Sequence, residues 1–169
     1  MHIRRLTPAD ASAFQDFRLA ALQDAPTAFG SSYEEERDIP ASVVEGRLAI
    51  KSDRGPFGAF EDSQLVGFVA LGRENLKNLS HKALIWGMYV KPEYRAKGIA
   101  KALLQEAISL ARSVPDINQV NLSVNASNAA AIGLYESFGF KTFGHEQGAL
   151  RIDGEFHDEL FMSLRLTDA

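Results

Sequence analysis

Four cations, Lys91, Arg95, Lys97 and Lys101, crowd one turn of this chain around Gly98. Ahead of them Leu84–Val90 is a continuous apolar run of strand length, broken at Lys91-Pro92. Behind them a helical pattern begins at Gly98. A strand feeding a glycine-containing turn and a helix start is a ready anion site. The first helical N–H groups have no intrahelical acceptor, and the helix dipole is positive there. The spacing over Leu84–Arg112 therefore predicts a site for a small phosphate-bearing ligand. It is not a P-loop, because Gly98-Ile99-Ala100-Lys101-Ala102 lacks the required glycine–lysine–hydroxyl pattern.

A second chemical feature is the run Glu34-Glu35-Glu36 within Phe29–Asp38. Such a run is read either as a solvated charged face or as an acidic wall for a cationic acceptor, including a base. Composition narrows the partners. A formal net charge of −4 argues against a general nucleic-acid binder. The absence of cysteine excludes disulfides, thiolate catalysis and cysteine-based zinc sites, and the four histidines, at 2, 81, 145 and 157, have no helical metal-pair spacing. No metal is expected. The N-terminus, MHIRRLTPAD, has no apolar core of a signal peptide, and no apolar run is long enough to span a bilayer. A cytoplasmic protein without membrane partners is the expectation.

The elements that carry these residues follow from periodicity and punctuation. His2–Leu6 suits a strand, and Thr7-Pro8-Ala9-Asp10 suits a helix start, with Phe14, Phe17, Ala21 and Leu22 on one face. Pro40–Ile50 reads as a second helix, and Phe57–Phe60 with Leu65–Leu71 as a hairpin over Glu61–Gln64. The unbroken apolarity of Leu84–Val90 predicts burial on both faces. From Gly98, Ile99, Leu103, Ala107 and Leu110 form one helical stripe opposite Lys101, Gln105 and Arg112. Gln119–Val124 alternates as a half-buried strand, parallel to its predecessor by the crossover rule. Asn125–Asn128 caps a helix over Ala129–Phe138, which Gly139 ends. Phe140–His145 and Glu155–Leu166 read as final strands, with Asp153-Gly154 as a turn. The order βαα, ββ, β–α–β, α, ββ predicts one domain over residues 1–169. Its fold class is α/β (α+β): a mixed, mostly antiparallel sheet with a central parallel strand pair, flanked by helices.

Arg95-Ala96-Lys97-Gly98-Ile99-Ala100 resembles the R/Q-x-x-G-x-G/A signature of the GNAT superfamily of N-acetyltransferases. Asn125–Asn128 followed by Leu134-Tyr135-Glu136-Ser137-Phe138-Gly139-Phe140 is similar to that family's second signature, and Asp158–Leu164 looks like its last strand. The resemblance implies transfer of an acetyl group from acetyl-CoA to an amine of a small molecule, amino acid, peptide or protein. It implies that backbone groups of Met88, Tyr89 and Val90 hold the pantetheine arm and polarise the carbonyl, and that Arg95, Ala96, Lys97, Gly98, Ile99 and Ala100 hold the pyrophosphate. Asn125 and Asn128 combine capping with ligand contacts, and Tyr135 binds near the sulfur and protonates the departing thiolate. The base is open among Glu34, Glu35, Glu36, His81 and a water relay, with Glu35 leading; this strand lacks the carboxylate some family members carry there. The alternative is a non-catalytic acyl-CoA-binding regulatory module. An exposed edge strand leaves room for a homodimer.

Overall fold

The structure, a computed structural model, describes residues 1–166. The elements are β1 (His2–Arg5), α1 (Ala11–Asp24), α2 (Tyr33–Glu36), α3 (Ala41–Arg47), β2 (Gly55–Glu61), β3 (Gln64–Arg73) and β4 (Lys82–Val90). They continue with α4 (Ile99–Ser113), β5 (Gln119–Asn125), α5 (Ala129–Ser137), β6 (Lys141–Ile152) and β7 (Glu155–Arg165). The strands form one sheet in the order β1-β2-β3-β4-β5-β7-β6. All neighbours are antiparallel except β4 and β5. The mixed sheet with one central parallel pair is thus present.

Each sheet face buries its own cluster. On one, the apolar stripe of α4 packs Leu103, Leu104, Ala107 and Ile108 with Val69, Ile85, Val120 and Leu122. On the other, Phe14, Phe17, Leu22, Val44 and Leu48 enclose Phe68 and Tyr89. Phe68 meets Phe14 and Phe17 edge-on, with centroids 5.2 and 5.9 Å away. The first helix starts as read, although its opening turn, Pro8–Asp10, is 3₁₀. Asp10 accepts from the Thr7 N–H at 2.8 Å and from both guanidinium ends of Arg4, tying β1 to α1. Arg4 is the main reason that the Asp10 carboxyl is pulled down to about 2.

Two hairpin turns carry the left-handed residues that a two-residue connection needs. They are Asp62-Ser63 (φ 46° and 66°) and Asp153-Gly154 (φ 49° and 83°). The second matches the expected turn, but β6 runs on to Ile152 rather than stopping at His145. It does so through an irregular register between Glu146 and Leu150, where Asp158 accepts from the Gly148 N–H at 2.9 Å and pairs with His145 at 2.8 Å. The helix expected over Pro40–Ile50 ends at Arg47. Burial of β4 on both faces is not observed: Leu84, Trp86, Gly87 and Met88 are only half-buried, because part of the strand lines an opening in the sheet.

The acidic connector departs from its readings at one residue: Glu34 and Glu35 are exposed, as in a solvated charged face, but Glu36 is not. Ser32 and Glu35 cap each other around α2, and Glu36 turns inward. Glu36 pairs with Arg18 at 3.3 Å and Arg47 at 2.7 Å, with only 6% of its side chain exposed. Burial opposes its ionisation, but the two guanidinium partners outweigh that and hold its carboxyl below the usual range. Arg18 Nε and Nη1 have no hydrogen-bond acceptor among the described residues. The guanidinium instead lies near the Phe29 and Trp86 rings, 5.7 and 5.5 Å from their centroids.

Neutralising Glu36 would strand a buried arginine. Glu36→Gln is expected to cost about 3–5 kcal/mol in urea denaturation at neutral pH. The difference from the native chain should shrink as pH falls through the depressed carboxyl pKa, where the native residue is also protonated.

Candidate active site

The parallel ladder between β4 and β5 lasts only three residue pairs: Lys82 with Gln119, Ala83 with Val120, and Leu84 with Asn121. Beyond them the strands part. Ile85–Met88 then line one wall of a cleft and Leu122–Asn125 the other, with Asn128, Ala131 and Tyr135 across its end and Glu159 beside it. From Ile85 to Val90 the edge of β4 facing β5 has no ladder partner among the described residues, so its backbone polar groups, apart from the Val90 carbonyl that Arg95 takes up, remain for a ligand.

A bulge helps to shape β4 at this point. Phe68 of β3 faces Tyr89 and Ala70 faces Trp86, so Val69 alone opposes Gly87 and Met88. Gly87 has φ +71°, and a Cβ there would lie 2.6 Å from the Phe68 ring, which is itself fully buried. Only glycine meets both demands. Of the three predicted strand residues, Met88 lines the cleft, while the Tyr89 and Val90 side chains are buried in the opposite cores. What Tyr89 and Val90 can offer a ligand is therefore backbone.

The turn after β4 carries the residues from which a phosphate site is expected, Arg95–Ala100. Ala96 and Gly98 are both left-handed, at φ 60° and 78°, and Ile99 drops into the core to begin α4. The first bond of this helix is Ala102 N–H to the Gly98 carbonyl at 3.0 Å, so the N–H groups before it precede the helical ladder. A Cβ at Gly98 would meet nothing within 4 Å. Lys97 and Lys101 are exposed and Ala100 is half-buried. Arg95 has structural duties: Nε donates to the Val90 carbonyl at 2.9 Å, and Nη2 pairs with Asp24 at 3.2 Å. The Tyr89 hydroxyl donates to the same carboxylate at 2.7 Å. Burial first, and then Asp24, push that phenol up to about 12.

On the other wall, Asn125 is buried and its Oδ1 accepts from the Ser127 N–H at 2.9 Å and from the Ser127 hydroxyl. Asn128 Oδ1 accepts from the Ala131 N–H at 3.1 Å, capping α5 as expected. Tyr135 is 5% exposed, packs edge-on against Phe140, and its hydroxyl makes no hydrogen bond within the described residues. Burial alone pushes this phenol up to about 12.

The base candidates fare differently. The Glu35 carboxylate accepts from the Ser32 N–H at 2.8 Å and from its hydroxyl at 2.9 Å, which lowers its pKa. With Glu34 it lines a groove against Ala149–Asp153, not the cleft of Tyr135. His81 precedes β4 beside Asn118 and lines neither cavity at the parted strands. Glu74, Trp86, Phe143, Phe161 and Glu159 do line a cavity of about 440 Å³ adjoining the cleft. None of them stood out in the sequence. The isolated Gly87 inside an apolar strand was a usable signal for a bulge; Glu159 carried none, since only tertiary placement sets it at the cleft.

The family model described as Acetyltransferase (GNAT) family matches residues 18–140. The chain belongs to that family. Among similar proteins, spermidine N(1)-acetyltransferase of Thermoplasma acidophilum is 38% identical over 84 residues, 50% of this chain and 48% of that protein. The L-amino acid N-acetyltransferase AaaT of Escherichia coli is 28% identical over 117 residues, 69% of this chain and 72% of that protein. The chain spans about half the length of the spermidine acetyltransferases it matches. A solved Salmonella typhimurium structure with its cofactor acetyl-CoA is similar in fold. Its TM-score is 0.82 over 100% of this chain and 95% of that one, at 21% identity.

Within this GNAT sheet, Gly87→Ala is expected to cost about 2–4 kcal/mol in urea denaturation, from left-handed strain and the collision with Phe68. Gly133→Ala, on α5 with open space around it, is expected to be neutral or to stabilise by about 0.5–1 kcal/mol.

Proposed function

We propose that this protein transfers the acetyl group of acetyl-CoA directly to an amine. The observation that carries this reading is the parting of β4 and β5. It leads from the left-handed turn at Ala96–Gly98, past an unpaired strand edge, to a buried tyrosine. The residues fit such a donor. A Cβ at Gly98 would project into space that the phosphates need, and the unpaired edge of β4 can pair with the amide-bearing arm. Arg95 would act on the donor mainly by holding the turn, leaving the backbone N–H groups with Lys97 and Lys101 to meet the anionic oxygens.

The bound donor would supply an activated acetyl carbonyl and a thiolate leaving group. Backbone N–H groups of β4 around Met88 would polarise the carbonyl as charge develops on its oxygen. Tyr135 would deliver its proton to the sulfur as the carbon–sulfur bond breaks. Burial suits it to that task, because a phenol held at about 12 stays protonated across the working range. Asn128, its Oδ1 occupied by the α5 cap, retains an amide NH₂ for the donor. In this reading Glu35 serves to cap α2 and takes no part in proton transfer.

The acceptor is placed in the adjoining cavity of about 440 Å³. Phe29, Trp86, Phe143 and Phe161 provide aromatic surface there, and Glu74 and Glu159 provide carboxylates. Arg18, the one cation in the lining, is already paired with Glu36. That combination suits a cationic amine. The names of the two relatives, spermidine and L-amino acid acetyltransferases, are both those of enzymes acting on amines.

The test is turnover of acetyl-CoA against polyamines, amino acids and peptides, with release of free thiol as the readout. Acetylation of one of these classes is expected; tight donor binding without thiol release across the panel would favour a regulatory module. Tyr135→Phe should lower kcat by about 10²-fold while the donor Kd stays within about threefold. Below about pH 11 the native profile should show no alkaline loss from this residue. Gly98→Val should weaken donor binding by at least about 10²-fold while the far-UV circular dichroism spectrum stays native.

A further inference from the structure

The parted strands leave two spaces, the donor cleft ending at Tyr135 and the aromatic-lined cavity beside it. Among the described residues, one titratable side chain lines both: Glu159. It sits on β7 opposite Asn125 of β5 and Glu146 of β6. Antiparallel partners share a sheet face, as do alternate residues along a strand. Ser123, Asn125, Glu159 and Phe161 therefore stand on the face that looks into this junction. We propose that Glu159 receives the acceptor ammonium at the junction of the two spaces and is the general base that removes its proton. This role rests on the transferase reading above.

The charges around Glu159 support the assignment. From β6 it faces Glu146, and from β5 the Ser123 hydroxyl and Asn125 amide. Across the cleft stands the neutral phenol of Tyr135, and across the cavity are Glu74 and Arg18, the latter paired with Glu36. The neighbouring Asp158 points to the other face of β7, where it holds His145. Burial first, and then repulsion from Glu146, raise the Glu159 carboxyl above its ordinary value, with the Ser123 hydroxyl on the neighbouring strand pulling the other way. A carboxylate raised toward neutrality but still ionised is a stronger base than a solvated one.

Glu159 takes one proton from the ammonium, freeing the nitrogen lone pair. The carbon–nitrogen bond forms, the carbon–sulfur bond breaks, and the sulfur receives the Tyr135 proton. The second proton shed by the nitrogen restores the phenol, and Glu159 passes its own to solvent.

The experiment is the pH profile of kcat/KM for the acceptor in native, Glu159→Gln and Glu146→Gln proteins, with acetyl-CoA affinity measured alongside. Glu159→Gln should lose about 10²- to 10³-fold at pH 7 and recover as pH approaches the free amine's own pKa near ~10. Its acetyl-CoA Kd should stay within about threefold, which also reports an intact fold. Glu146→Gln should shift the acid limb to lower pH without lowering the plateau, because it removes a like charge. A Glu159→Gln profile of unchanged shape, whether at full or reduced height, would overturn the base assignment alone. Absence of thiol release with every amine in the native protein would overturn the transferase reading and this role together.

Discussion

Two parallel strands that stop pairing in the middle of a sheet create a standing cost. Each backbone N–H or carbonyl left on the open edges is a polar group with no protein partner, and it must find water or a ligand. In this chain β4 and β5 pair over Lys82–Leu84 and Gln119–Asn121 and then separate. Each strand stays held on its far side, β4 by β3 and β5 by β7. The opening can therefore persist without unravelling the sheet, and its walls are rigid elements rather than loops. A ligand that pairs with a strand edge meets groups already aligned, so little ordering remains to be done on binding.

Local features then keep the opening in register. The Gly87–Met88 bulge lets β4 bend while Phe68 stays buried between two helical phenylalanines. Arg95 reaches back to the last carbonyl of β4 and across to Asp24 at the end of α1. Tyr89 reaches the same carboxylate from within β4. Strand, turn and first helix are thus joined through one aspartate. The cationic turn suggested by the sequence is accordingly two things: exposed lysines beside the helix start, and an arginine that sets the geometry of the backbone around it.

That division also explains how much could be read from the residues alone. The proposed donor side rests on backbone conformation, and conformation leaves local marks: Gly98 before a helical stripe, and Asn125 and Asn128 before another, just as Asp153-Gly154 marks a hairpin elsewhere in the sheet. Each of these lies where the sequence put it. The proposed acceptor side rests on side chains from distant segments meeting across the sheet, and no local pattern encodes such a meeting. Glu36 looked like its neighbours Glu34 and Glu35, yet it is buried between two arginines because α1 and α3 bring them there. Glu159 looked like an ordinary polar position of a last strand. The apolarity of β4 misled in the other direction, since residues that line a ligand cleft are as apolar as residues that line a core.

The same physical cause gives the two titratable residues of the cleft different uses in the proposed reaction. Burial disfavours the charged form of both Tyr135 and Glu159, and so raises both. For the phenol, which starts near ~10, the shift moves it further from neutrality and keeps its proton available for donation. For the carboxyl, which starts near ~4.3, the shift moves it toward neutrality and strengthens it as an acceptor. In the proposed reaction one desolvated cleft therefore offers an acid on the α5 side and a base on the β7 side. A substitution that wetted the cleft would weaken both functions at once, lowering the phenol and the carboxyl together, even if it touched neither residue.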